Sequence, residues 1–183
     1  GTNMTFDEGI MYHNTKCYSF VLKNPSSHHY KFYLSILNSK LMWFYLINTG
    51  YVLRGGYFAF KTKYLYPFPL PKEPKDINPY KEKANEILSL KSNFLSKKKK
   101  FLTLVESELG IVANNKLKEF YKHGFKTFIT EVDKSRKKNN KKTPLSLKEK
   151  AEWQDYFEET KQEILDLQSQ ITQTDREIDR MVY

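Results

Sequence analysis

The stretch "NPYKEKANEILSLKSNFLSKKKKFLTLVES", residues 78–107, carries large apolar side chains at seven-residue intervals. The repeating positions are Tyr80, Ile87, Phe94 and Phe101, and Leu90 and Leu104 each follow a repeating position by three residues. Such spacing places the side chains along one stripe of an α-helix. Asn78 suits an N-cap and Pro79 the first helical position. The pattern predicts a long helix from about residue 79 to 107.

A second long helix is predicted to begin at "SLKE", where Ser146 and Glu149 have the spacing of a capping box. Its seven-residue repeat is Phe157, Ile164, Ile171 and Ile178, its second apolar position is filled by Leu167 and Met181, and Thr160 and Thr174 interrupt that position. Between the long helices, two shorter helices are predicted over 115–123 and 125–138, separated by Gly124, and a basic loop over 134–144. This order favours an antiparallel helical hairpin of coiled-coil type. The alternative is that each stripe packs separately on a globular core.

Towards the N-terminus, "YKFYLSILNSKLMWFYLI" (30–47) predicts a buried helix whose apolar face holds Tyr33, Leu37, Leu41 and Phe44. Lysines and other polar residues interrupt this stretch, and it is shorter than the ~20 apolar residues that a membrane span needs. No membrane segment is therefore predicted.

Short segments rich in aromatic residues predict strands on both sides of that helix. They are "KCYSFVL" (16–22), "YFAF" (57–60) and "YLYPFPL" (64–70). The prolines at 67, 69 and 71 mark an edge or the end of the sheet. The fold class expected from the sequence is thus α+β. A small α/β domain occupies residues 1–71, a Pro-rich linker 72–78, and a helical region with antiparallel long helices 79–183.

The charge balance of the 183-residue chain indicates a polyanionic partner. Thirty-one Lys and Arg outnumber 21 Asp and Glu, for a formal net charge of +10. Such an excess is typical of proteins that bind nucleic acid or an acidic membrane surface, and the alternative is a soluble Lys-rich protein. The only cysteine, Cys17, excludes an intrachain disulfide, which fits the cytoplasm.

Residues 49–71, "TGYVLRGGYFAFKTKYLYPFPLP", combine three glycines, seven aromatic residues and three basic residues with no acidic one. Arg54, Lys61 and Lys63 are spaced for phosphate contact, and an arginine beside Gly55 and Gly56 can also approach a base edge. Tyr57, Phe58 and Phe60 alternate, so some of these rings are expected to face outwards and others to enter the core. These features predict a nucleic-acid-binding hairpin.

The motifs of the common catalytic sites are missing from the sequence. It has no glycine-rich phosphate loop, no paired cysteine or Cys/His metal spacing and no G-x-S-x-G elbow. The sequence therefore predicts a binding protein and no enzyme.

The block "LSILNSKLMWFYLINTGYVLRGGYFAFKTKYLYPFPLP" resembles the TaqI-like C-terminal specificity domain of restriction–modification enzymes. That family has a helix near "LNSKL", an "RGG" turn, an "F-K" strand and a "PFPLP"-type ending. The second half is similar to the tail of large combined restriction–methyltransferase polypeptides, where a segment like "LSLKEKAEWQDYFEE" precedes one like "TDREIDRMVY" and the pattern then runs on into "ELYGL". By that pattern, this chain is expected to stop within the motif.

The resemblance implies a target-recognition module of a bacterial adenine-N6 DNA methyltransferase, with or without an endonuclease. The N-P-P-Y-type motif that holds the target adenine is missing from this sequence. S-adenosylmethionine and Mg are therefore expected to bind only to the catalytic domains of the parent protein, which this chain lacks. No cofactor and no metal is expected in this chain. The expected partners are double-stranded DNA and the methyltransferase or nuclease domain. The predicted DNA-binding residues are Lys16, Lys40, Arg54, Gly55, Gly56, Tyr57, Lys61 and Lys63.

Two other functions stay open at this point. The helical hairpin could dock a partner subunit while the positive charge serves solubility, or the mixture of aromatic and basic residues could bind RNA. An RNP-like "GFGFV" pattern is missing from the sequence, which weighs against RNA.

Overall fold

The computed structural model describes residues 2, 4–7, 9, 19–23, 27–59, 61–138 and 144–183, leaving aside the side chains of Ser27 and His28. Helices dominate these residues. In chain order they are α1 (Ser27–Asn38), α2 (Lys40–Thr49), α3 (Thr62–Leu65), α4 (Asn78–Leu109), α5 (Asn115–Lys118), a 3₁₀ turn (Phe120–Lys122), α6 (Phe125–Lys138) and α7 (Leu147–Val182).

The chain divides into two compact units. The first unit consists of Gly1–Leu88 and Gln173–Tyr183, and the second of Ser89–Thr172. Because the divisions fall inside α4 and α7, each long helix contributes one end to the first unit and the remainder to the second.

The predicted α/β domain is wrong, because the described residues form no strand and no sheet. They contain one isolated antiparallel bridge, between Val52 and Phe58. Residues 19–22 of the first predicted strand have no regular structure, and its residues 16–18 lie outside the described residues. The segment 64–70 begins inside α3, which ends at Leu65, and continues as a turn in which the Phe68 N–H donates to the Leu65 carbonyl at 3.1 Å; both of these side chains are buried. Pro67 and Pro69 have no N–H to donate to a ladder, so a strand could not continue there.

The predicted helix over 30–47 is two helices, with a break at Ser39. The Ser39 hydroxyl donates to the Ile36 carbonyl at 2.6 Å and accepts from the Met42 N–H at 3.4 Å, so it ends α1 and caps α2. This break changes the helical phase, so the predicted apolar face is wrong for Phe44, which is 61% exposed. The fully buried side chains are Phe32, Ile36, Met42 and Leu46.

The first unit has a core to which distant parts of the chain contribute. Side chains of α1, α2 and α3 form its centre, and Ile77, Tyr80 and Val182 pack against them. Tyr80 also donates its hydroxyl to the Met181 carbonyl, and Thr174 donates to Glu86 at 3.0 Å. In this unit the start of α4 and the end of α7 therefore run in opposite directions.

The second unit is built around an aromatic cluster centred on Phe101, which is completely buried. Its ring stacks on Phe120 at a centroid distance of 4.0 Å and meets Phe157 edge-on at 6.2 Å. Lys97 pairs with Glu163 at 2.7 Å, so α4 and α7 run antiparallel within this unit too.

The ends of both long helices are fixed by local bonds. At the start of α7, the Ser146 N–H donates to Glu149 at 2.7 Å and the Glu149 N–H donates to the Ser146 hydroxyl at 3.2 Å, which confirms the predicted capping box. At the end of α4, Gly110 has φ of +60° and the Ile111 N–H returns to the Glu106 carbonyl at 3.2 Å. A glycine stops the helix there because few other residues adopt that conformation.

Candidate nucleic-acid interface

A short hairpin follows α2 and holds the candidate site. The Leu53 N–H donates to the Tyr57 carbonyl at 2.6 Å, and the Ala59 N–H donates to the Tyr51 carbonyl at 3.0 Å. A further bond, from the Gly56 N–H to the Leu53 carbonyl at 3.1 Å, closes a β-turn over residues 53–56. Arg54 therefore stands at the first central position of a tight turn.

The two glycines of the turn have conformations that other residues rarely adopt. Gly55 has φ of +90° and Gly56 has φ of +80°. A Cβ atom at Gly55 would also lie 3.3 Å from the Tyr57 ring. Arg54 and Tyr57 are exposed beside this turn, and Tyr57 is 73% exposed. The Gly-Gly pair thus presents a cation and an aromatic ring from one narrow loop.

The base of the hairpin is held against α2. Gly50 comes so close to the helix end that a Cβ there would lie 2.5 Å from the Leu46 carbonyl oxygen. Phe58 meets Trp43 edge-on at 5.1 Å, and Ala59 is buried. The turn therefore projects from a base that is fixed by packing.

The predicted lysines have different surroundings. Lys61 is exposed just before α3, and Lys63 is exposed within it, with its ammonium 4.8 Å from the centre of the Tyr64 ring. At the start of α2, the Lys40 ammonium is 3.1 Å from the Asp179 carboxylate, which also accepts from the Lys40 N–H at 2.8 Å. A carboxylate thus offsets the charge of Lys40. Lys16 lies outside the described residues.

The sequence around the hairpin carries one sign of charge. Residues 9–72 contain eight Lys and Arg and no Asp or Glu. Several acidic side chains of the first unit that follow are engaged in contacts. Glu73 accepts from the Tyr33 hydroxyl at 2.8 Å, and burial together with Glu73 raises the pKa of Tyr33. Glu86 and Glu177 both bind Lys83, which lowers the pKa of each carboxyl.

The sequence reading missed the exposed apolar side chains near the hairpin. Each of them is at least 44% exposed: Phe44, Ile47, Tyr51, Val52, Leu53 and Tyr66. Apolar spacing alone placed Phe44 inside, because the break at Ser39 could not be read from it. These cationic, aromatic and aliphatic groups can contact a binding partner.

In the described part of the chain, no three His, Cys, Asp or Glu side chains are grouped to hold a metal. None of the described helices is long and apolar enough to cross a membrane.

Comparison with known families identifies both halves of the chain. Residues 73–182 match the family model of a domain of unknown function (DUF8810), which covers more than half of the chain. The chain belongs to the DUF8810 family. Residues 2–70 of this DUF8810 member match the model of the TaqI-like C-terminal specificity domain, so the resemblance found in the sequence is confirmed. No curated protein and no solved structure matches it.

The second match gives the DUF8810 member a coarse functional class. A TaqI-like specificity domain indicates a DNA target-recognition module of the restriction–modification type, and a specificity domain is not itself catalytic. The hairpin with Arg54, Gly55, Gly56 and Tyr57 lies inside the matched residues 2–70.

Proposed function

We propose that this chain recognises a specific sequence in double-stranded DNA for a bacterial restriction–modification system. Its recognition function belongs to residues 1–71, and the helical residues 79–183 act as a spacer or docking region. The observation that carries the proposal is the turn at Arg54, exposed on a fixed base within a segment that has no acidic residue and matches a specificity domain.

Each side chain of the site has a role in this proposal. Arg54 reads a base edge in the major groove, where a bidentate arginine is the commonest contact to guanine. Lys61 and Lys63 contact phosphates and position the hairpin. Tyr57 packs against the DNA beside them, and Gly55 and Gly56 allow the backbone to come close.

The chemical steps take place in other domains. An adenine-N6 methyltransferase domain, with or without an endonuclease, receives the recognised site, and S-adenosylmethionine and Mg bind there. The proposed location is the cytoplasm, where DNA is accessible.

The test is selection from a randomised pool of duplexes, followed by binding of the enriched sequence to variants. We expect Arg54→Ala to weaken binding by about 1–3 kcal/mol and to relax the preference at one or two base positions. Arg176→Ala, which removes an exposed arginine of the same unit from α7, is the matched control. Equal binding of both variants would refute base reading by Arg54, and a loss that is uniform across sequences would reduce Arg54 to a phosphate contact.

Docking to a partner subunit is a second candidate, and the exposed apolar side chains near the hairpin favour it. Phe44 and Ile47 extend outwards from α2, and Tyr66 is 78% exposed. Contiguous apolar patches commonly mark interaction sites, and Phe44 and Ile47 lie three residues apart on α2. Salt separates the candidates, because binding to duplex DNA falls steeply as salt rises, whereas apolar docking responds little.

A further inference from the structure

The second unit carries a concentration of positive charge that neither the hairpin nor the recognition function uses. Residues 115–138 contain eight Lys and Arg and three Asp and Glu. The exposed lysines of this segment are Lys116, Lys118, Lys122, Lys126, Lys134, Lys137 and Lys138, and Lys122 is paired with Glu119 at 3.0 Å. We call the surface that carries Lys116, Lys126, Lys134 and Lys137 the basic face.

A buried carboxylate organises part of the basic face. Glu131 is 7% exposed, and one of its oxygens lies 2.8 Å from the Lys134 ammonium and 3.7 Å from the Lys116 ammonium. Its other oxygen accepts from Asn114 at 2.9 Å. Lys134 and Asn114 lower the pKa of the Glu131 carboxyl, so it stays ionised at neutral pH. This one negative charge fixes the position of two lysines and offsets part of their charge, as Asp179 does for Lys40, and both ammonium groups remain mostly exposed.

The spacing along α6 extends the face. Lys126, Thr130, Lys134 and Lys137 are exposed and recur at intervals of three and four residues, so they share one side of the helix. Lys126 and Lys137 are about 16 Å apart along the axis at 1.5 Å per residue. Duplex DNA carries one charge per about 1.7 Å of its axis, so this row is long enough to follow several phosphates.

Negatively charged side chains of the same unit lie together on α7. On α7, the exposed side chains Glu152, Asp155, Glu159 and Asp166 recur at intervals of three, four and seven residues and so form an acidic side. Evenly mixed charges are enough for solubility, whereas separated charges create a surface that attracts polyanions and orients them.

A small ligand fits this surface poorly. The depression between α5 and α6, lined by Lys116, His123, Thr127 and Glu131 among others, has an empty volume of about 160 Å³, which is less than the ~300–1,000 Å³ of a typical ligand pocket. The lysines around it are arranged over an open surface, which suits an extended polyanion.

We infer that the basic face of the second unit binds the phosphodiester backbone of duplex DNA without reading its sequence. Glu131 acts as a positioning residue for Lys116 and Lys134. The inference rests on the proposed function only in taking DNA, and no other polyanion, as the partner.

The test measures duplex binding by the full chain over a range of salt concentrations. One variant carries Lys116→Gln and Lys134→Gln, and another carries Lys126→Gln and Lys137→Gln. The matched control, Lys91→Gln with Lys148→Gln, loses the same charge from two exposed lysines of α4 and α7 in this unit. We expect each basic-face variant to lose about tenfold in affinity at low salt and to flatten the plot of log K against log salt by about two units. Thermal unfolding monitored by circular dichroism checks that all three variants fold.

The results separate this inference from the proposed function. If the basic-face variants keep their sequence preference while affinity and salt slope fall, the inference stands. If they bind like the control while Arg54→Ala loses preference, the basic face has no role in DNA binding and the proposed function survives. If duplexes of every sequence bind equally and the basic-face variants weaken that binding, the inference stands without the proposed function. Tighter binding of a matched RNA duplex, or no binding to any duplex at low salt, overturns the inference.

Discussion

The two units of this chain differ in how far apart along the sequence their stabilising partners lie. In the second unit, the Asn114–Glu131 hydrogen bond spans 17 positions, and the side chains that surround Phe101 come from α4 to α7 within residues 89–172. In the first unit, the Lys40–Asp179 bond spans 139 positions and the Tyr80–Met181 bond spans 101. The second unit is continuous in sequence, whereas the first combines two separate segments, Gly1–Leu88 and Gln173–Tyr183.

This difference matters for the boundary between the two matched families. The specificity-domain match ends at residue 70, whereas the first unit also contains residues up to 88 and 173–183. Asp179, Met181 and Val182, which bind or pack in that unit, belong to the DUF8810 match. The segment with the hairpin is therefore supported by residues of the other family.

The largest expected effect tests the core of the second unit. Each unit has one tryptophan, Trp43 in the first and Trp153 in the second, so single-tryptophan variants report on the units separately. We expect Phe101→Ala to lower the free energy of unfolding by about 3–5 kcal/mol, since it leaves a cavity in the aromatic cluster. The measurement is denaturant unfolding followed by Trp153 fluorescence in a Trp43→Phe background.

Leu95→Ala is the control for Phe101→Ala, because Leu95 lies on the same helix and is 62% exposed. Equal losses for the two variants would contradict a core centred on Phe101.

The next effect tests the close approach of the hairpin to α2. In Gly50→Ala, the new methyl group would lie 2.5 Å from the Leu46 carbonyl oxygen, so the backbone must move. We expect a loss of about 1–3 kcal/mol, as for overpacking, and a change in Trp43 emission because Trp43 contacts Phe58 of the hairpin. Gly124→Ala, with open space around its Cβ position, should cost less than about 1 kcal/mol, which is the loss of a glycine at the N-cap of α6. An unchanged Trp43 signal in Gly50→Ala would show that the hairpin is not held in this way.

A smaller effect tests the contribution of the chain end to the first unit. Asp179→Ala removes the carboxylate that accepts from the Lys40 N–H at the start of α2. We expect a loss of about 1 kcal/mol, as for an N-cap, in the unfolding of the first unit followed by Trp43 in a Trp153→Phe background. Asp155→Ala removes an exposed aspartate from the same helix and should leave that transition unchanged. If the first unit has the same free energy of unfolding in both variants as in the unmodified chain, Asp179 does not act as a long-range cap.

The smallest effect is a pH dependence of the second unit. Lys134 and Asn114 lower the pKa of the Glu131 carboxyl in the folded protein. Its contribution to stability is therefore present above the ordinary glutamate pKa of about 4.3 and is lost as the pH falls through the lower folded value. The measurement is the free energy of unfolding of the second unit, followed by Trp153 fluorescence, as a function of pH. Glu131→Gln should remove this part of the loss at acid pH, and the exposed control Glu159→Gln should keep it. The same loss of stability at acid pH in both variants would contradict the assignment to Glu131.

The candidate site was predictable where it depends on local chemistry. The adjacent glycines Gly55 and Gly56 predict a turn with positive φ, and a charged side chain such as Arg54 beside such a turn is expected to be exposed, as it is in the structure. Lys40 looked like a free cation because its partner, Asp179, lies far along the chain. The α/β prediction failed because alternating aromatic residues suit a strand only where a neighbouring strand supplies hydrogen bonds, and here Val52 and Phe58 form just one bridge.

The sequence by itself determined the two long helices, the capping box at Ser146 and the acid-free segment around the hairpin, since these depend on residues within a few positions of one another. It also carried the resemblance to the specificity domain. The tertiary structure alone decided that Phe44 faces outwards, that Lys40 is bound by Asp179 and that Glu131 is buried between two lysines. The physical reason is that burial and charge pairing depend on which distant segments fill the space beside a residue, and no local pattern records that.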